Sequence, residues 1–140
     1  MQIFTKSAEE TKKFGQKFSA NINHNILALS GELGSGKTTF VQGLAKGLGI
    51  NTRIMSPTFI LMRKHKGERY NLYHVDLYRL EGKLEGEIQN LGLKEIWEKK
   101  DNFVVIEWAE KIKDLLPKNI TWITFENMDP SQRKITVVNK

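Results

Sequence analysis

Gly31-Glu32-Leu33-Gly34-Ser35-Gly36-Lys37-Thr38 sets two glycines, a lysine and a threonine at the spacing Gly-x4-Gly-Lys-Thr. Backbone N–H groups hold phosphate best where the chain turns tightly at the head of a helix, and glycine permits that turn. Gly34, Ser35 and Gly36 would present such amides, followed by Thr39 in the first helical turn. Lys37 would reach the β- and γ-phosphates as a point charge, and the Thr38 hydroxyl would ligate Mg²⁺. The expected ligands are ATP and Mg²⁺.

A phosphate loop alone does not hydrolyse ATP; a carboxylate at the end of a neighbouring strand must hold the metal or its water shell and help order the attacking water. Glu107 answers that description, emerging after the apolar run Phe103-Val104-Val105-Ile106 and before Trp108. Asp76, one of four aspartates, shares a strand face with Leu72 and His74 by period-two alternation. An aspartate in a strand is unfavourable without a task, although an ion pair with Arg79 or a lysine would be a purely structural one. His74 reads equally well as a core histidine or a functional one. Ser56-Pro57-Thr58 follows the loop's helix, where nucleotide switches place a hydroxyl that senses the γ-phosphate and Mg²⁺. Thr58 is the candidate, and a plain proline turn is the alternative.

These residues need a strand, a glycine loop and a helix in that order. Ile26-Leu27-Ala28-Leu29 supplies a short buried strand, and Phe40, Val41, Leu44, Ala45 and Leu48 supply one helical face with Gly49 as its stop. Upstream, a short Ile3-Phe4 strand precedes Ser7-x-x-Glu10, a capping box opening a helix with the stripe Ala8, Thr11, Phe14 and Phe18. Downstream, strands from Thr58 to Lys64 and from Tyr70 to Tyr78 flank a polar turn and predict an antiparallel hairpin. Two short helices follow, around Leu84, Ile88 and Leu91 and around Leu93, Ile96 and Trp97, before the Phe103–Ile106 strand. Ala109 to Leu116 reads as a helix stopped by Pro117. A final hairpin runs Ile120–Phe125, turn Asp129-Pro130-Ser131, Lys134–Val138. The fold class expected is α/β, a single P-loop domain over 1–140 with a mixed parallel and antiparallel sheet flanked by helices.

Composition agrees: 140 residues, 39% hydrophobic and 27% charged, are those of one ordinary globular domain. Neither a run of 18 apolar residues nor a secretory start is present, and cysteine is absent, so a cytoplasmic chain away from membranes is expected. The net charge of +6 favours anions, but the cations are scattered and only Arg63-Lys64-His65-Lys66 is dense.

Taken together, Gly31–Phe40, Ser56-Pro57-Thr58-Phe59, His74-Val75-Asp76-Leu77-Tyr78-Arg79-Leu80 and Ile106-Glu107-Trp108-Ala109-Glu110-Lys111 resemble, in order and approximate spacing, the segments of the bacterial TsaE family. That family is the small ATPase of tRNA threonylcarbamoyladenosine biosynthesis. The resemblance implies a Mg²⁺ site using Thr38 and Glu107, a switch-like segment at Thr58 and a functionally needed Asp76. It also implies that the region before the first helix, Glu110 and Arg133 lie near the adenine or ribose. Its members act with the TsaB and TsaD subunits, meet tRNA through that complex, and hydrolyse ATP slowly alone. A nucleotide-gated binding module without catalysis is the alternative reading, as is a small-molecule kinase, although five arginines and little spare length leave scant material for a kinase lid. Direct RNA binding rests only on the charge and the 63–66 patch.

Overall fold

The computed structural model describes residues 1–57 and 61–139. One seven-stranded sheet carries the chain, in the order β1-β7-β6-β2-β5-β4-β3. Its strands are β1 (Gln2–Thr5), β2 (Ile26–Ser30), β3 (Met62–His65), β4 (Asn71–Asp76), β5 (Asn102–Glu107), β6 (Thr121–Asn127) and β7 (Arg133–Asn139). β6, β2, β5 and β4 run parallel, while β7, β1 and β3 join antiparallel at the two edges. The mixed α/β class expected from the sequence is therefore the observed one.

A parallel strand covered on both faces must be apolar throughout, and β2 and β5 are: Ile26–Leu29 and Phe103–Ile106 are all buried. On one face the sheet packs α1 (Ala8–Phe18) and α2 (Lys37–Gly47), closing a core of Leu27, Leu29, Phe40, Leu44, Phe103, Val105 and Phe125. On the other face lie α3 (Glu85–Leu91), α4 (Leu93–Trp97) and a 3₁₀ segment (Ala109–Leu115) over Ala28, Val75, Leu93, Val104 and Ile106. The first two helices touch backbone to backbone: a Cβ on Gly43 would lie 1.9 Å from the Lys12 carbonyl oxygen, so only glycine permits that crossing.

Three local expectations change. Glu10 does not close the box on Ser7; its carboxylate accepts from the Lys6 N–H at 3.0 Å, while Ser7 Oγ accepts from the Glu10 N–H as a capping residue should. Ala8 is exposed, and the helix meets the core through Thr11, Phe14, Gly15 and Phe18. The helix expected from Ala109 is present over Ala109–Leu115 as 3₁₀ turns broken at Ile112 (φ −126°), since Ala109 and Ile112 are both drawn into the core and the tighter turn sets residues three apart on one side. Of the predicted 58–64 strand, the part from Met62 is seen; positions 58–60 lie outside the described residues. β4 stops at Asp76, where the carboxylate Oδ1 accepts from the Tyr78 N–H at 2.9 Å and turns the chain.

Candidate nucleotide site

The loop between β2 and α2 rises from the middle of the sheet. Gly31 (φ +146°) and Gly36 (φ +102°) hold backbone angles that side chains rarely adopt, and a Cβ on Gly31 would meet the Phe125 carbonyl oxygen at 2.6 Å. The loop can pass over β6 only as glycine. Ser35 Oγ is buried with no partner among the described residues, a donor held ready inside the loop.

Register brings the acids to the same edge. Asp76 pairs with Glu107 across β4 and β5, and Glu107 pairs with Leu29 across β5 and β2, so both carboxylates end parallel strands beside the loop. Ligands of open α/β sheets bind at that carboxyl edge. Asp76 and Glu107 are each only 3% exposed. Thr38 Oγ1 donates to Glu107 at 3.1 and 3.3 Å, and His74 Nε2 lies 2.5 Å from Glu107 Oε2. Asp76 Oδ2 accepts from Ser56 Oγ at 3.0 Å. The other predicted member of that segment, Thr58, lies outside the described residues.

Lys37 is 5% exposed. Its Nζ donates to the Gly31 carbonyl and, at 3.4 Å, to that of Glu32, and it sits 3.9 Å from the centroid of the Trp108 ring. Burial lowers its pKa, against the charges of Glu107, Glu110 and Asp76, which favour the cation. A charge so placed is poorly solvated and gains by meeting an anion.

A cleft of about 560 Å³ joins these groups. It is lined by Gly34, Ser35, Gly36, Lys37, Thr38 and Thr39 from the loop and α2, by Ser56, Asp76 and Glu107, and on its far wall by Lys6, Ser7, Ala8 and Thr11. The region before the first helix thus borders the cleft. Arg133 lines the cleft too, but its guanidinium is engaged: Nη2 donates to the Gly34 carbonyl at 3.1 Å and Nη1 to those of Asp129, Pro130 and Gln132. It ties the β6–β7 turn to the loop. Glu110 is exposed, near enough to act on Lys37, and does not line the cleft.

Trp108 also lines the cleft, at a position given no role from the sequence. Its positive φ of 61°, rare for an aromatic, swings the ring over Lys37 as β5 ends. The only signal in the sequence was an aromatic directly after the strand-terminal acid.

The donor set suits Mg²⁺: a hydroxyl and a carboxylate are hard oxygens, and among the described residues no three His, Asp or Glu converge into an all-protein cage. Such an ion leans on phosphate and water for its remaining ligands. The glycine cradle and the orphaned Ser35 hydroxyl suit a phosphate.

Residues 5–135 match the family model "Threonylcarbamoyl adenosine biosynthesis protein TsaE". A relative from Rickettsia bellii, named tRNA threonylcarbamoyladenosine biosynthesis protein TsaE, is 40% identical over 141 residues, spanning 99% of this chain and 95% of its own. One of the same name from Bacillus subtilis is 36% identical over 133 residues, spanning 94% and 81%. The crystal structure of YdiB from Bacillus subtilis superposes with a TM-score of 0.81 at 30% identity, covering 99% of this chain and 84% of that one.

Proposed function

The chain belongs to the TsaE family, and from that membership we propose that it serves threonylcarbamoyladenosine formation on tRNA as a Mg²⁺-dependent ATP-binding protein and slow ATPase. It would work in the cytoplasm with the TsaB and TsaD subunits and meet tRNA through them; among the described residues no helix is long and apolar enough to cross a membrane. One observation carries the reading: Lys37, Thr38, Asp76 and Glu107, drawn from two neighbouring parallel strands and one helix, line a single cleft.

The loop amides and Ser35 would hold the phosphates. Lys37 would exchange the Gly31 carbonyl and the Trp108 ring for phosphate oxygens, gaining a charge-assisted contact where it now has neutral ones. Thr38 and Glu107 would hold Mg²⁺, which neutralises charge on the transferring phosphoryl group. Asp76, buried and already fixed by Ser56 and the Tyr78 N–H, would orient the attacking water. Thr58 is proposed as the switch residue, and Glu110 and Arg133 as neighbours of the adenine or ribose. Turnover would be slow alone if the transition state waits on segments that a docked partner orders.

The test is phosphate release from Mg-ATP by the wild type and by Asp76→Asn, alone and with TsaB and TsaD of the same source. Strong stimulation by the partners, with turnover lost and ATP binding kept in Asp76→Asn, supports the ATPase. Full turnover in Asp76→Asn removes Asp76 from the water-orienting role, and no turnover in the wild type despite tight ATP binding replaces the ATPase with a nucleotide-gated binding module.

A further inference from the structure

Among the described residues His74 is the most enclosed polar one, with no exposed surface, at the centre of a strand of the parallel core. Alternation puts Leu72, His74 and Asp76 on the face of β4 that looks toward α1 and α2. On β5, Val105 stands opposite His74 and Glu107 opposite Asp76, so His74 and Glu107 are diagonal neighbours on that face. A long side chain can bridge such a diagonal. The imidazole does: Nε2 lies 2.5 Å from Glu107 Oε2, and since a carboxylate accepts, Nε2 carries the hydrogen.

Oε2 therefore receives two donors, His74 Nε2 and Thr38 Oγ1, the latter at 3.1 Å. With Thr38 alone the carboxylate could turn about its own bonds toward the buried cation nearest it, Lys37, whose ionisation it already favours. No such ion pair forms. Among the described residues Glu107 is paired with His74, and Lys37 rests on carbonyls and an aromatic ring.

The other ring nitrogen argues against a merely structural histidine. Nδ1 is buried with no partner among the described residues. Leaving such a group unpaired costs about 1–3 kcal/mol, which an apolar residue in the same core would avoid.

We propose that His74 is a positioning residue: its Nε2–H fixes the Glu107 carboxylate beside Thr38 and away from Lys37, so that the two oxygens are set in advance for a divalent cation. The proposal rests on the reading of the cleft as a Mg²⁺–nucleotide site. Residues that orient a metal ligand from behind contribute on the order of ten- to a hundredfold in metal affinity.

The test reads binding, not turnover. ADP is titrated calorimetrically into the protein, first in chelator and then over a series of Mg²⁺ concentrations, for the wild type, His74→Asn, His74→Gln and Glu107→Gln, with a thermal melt of each. Glutamine extends its N–H donor to about the reach of Nε2, whereas asparagine falls short. The expected result is a Mg²⁺ midpoint raised about tenfold or more in His74→Asn, restored toward wild type in His74→Gln, with ADP affinity in chelator unchanged in both. An unshifted midpoint in His74→Asn, while Glu107→Gln shifts it, overturns the role of His74 alone. An unshifted midpoint in Glu107→Gln overturns the metal site itself. Equal shifts in the asparagine and glutamine variants, tracking a common loss of melting temperature, assign His74 to packing and also overturn the proposal.

Discussion

The same parallel strands change character along their length. In their middle, Leu27, Ala28, Leu29, Val104, Val105 and Ile106 are buried, with apolar neighbours on both faces. At their carboxyl ends stand Asp76 and Glu107, with His74 two residues inside and Lys37 and Ser35 above, all buried and polar. Here too are the polar atoms Ser35 Oγ and His74 Nδ1, unpaired among the described residues, and the strained Trp108 backbone. The interior is built for stability. The carboxyl edge gives some of that stability up to hold charge and hydrogen-bond donors in low dielectric, where they act strongly on a ligand.

That contrast is sharpest if the interior is damaged without touching the edge. Phe40 is fully buried and meets the rings of Phe14, Phe18 and Phe125 at 5.6–5.7 Å between centroids. Phe40→Ala should lower the free energy of unfolding by about 3–5 kcal/mol in urea. A loss below about 1 kcal/mol would mean the aromatic cluster repacks and the interior is less committed than its burial implies.

A smaller effect tests whether buried polar groups away from the site also weaken the fold. His65, on the edge strand β3, bonds the Thr52 hydroxyl through Nδ1 at 2.9 Å, while Nε2 is buried without a partner among the described residues. Desolvation first, then the charges of His74 and Arg63, hold its pKa below the ordinary 6.5. The unfolded chain then binds more protons than the folded one as pH falls below about 6.5, so stability declines with acidification from there. The slope from this one group is at most about 1.4 kcal/mol per pH unit. The melting temperature should fall between about pH 7.5 and 5.5, and His65→Gln should flatten the fall; an identical slope in the variant would assign it to other groups.

The sequence showed the apolar strands and the loop clearly, because burial on both faces and a phosphate cradle each demand a narrow set of residues in consecutive positions. Strand order was not visible in it. That β4 and β5 are neighbours, and that Asp76 therefore faces Glu107, follows from pairing between segments some 30 residues apart that no local period encodes. The contact of His74 with Glu107 escaped for the same reason, being diagonal across that pairing. The helix at Ala109–Leu115 was legible but not its type, because its apolar spacing fits either kind, and packing of Ala109 and Ile112 against the sheet selected the tighter turn. Trp108 escaped because its place over Lys37 depends on one positive φ.

In the proposed function the carboxyl edge holds a nucleotide phosphate on Lys37. Calorimetric titration of ATP with Mg²⁺ into the wild type and Lys37→Ala tests it most directly, with melting curves to show that both are folded. A charge-assisted phosphate contact of about 1.5–3 kcal/mol predicts binding about ten- to a hundredfold weaker in the variant. Equal affinity in two folded proteins would place the nucleotide elsewhere and contradict the account.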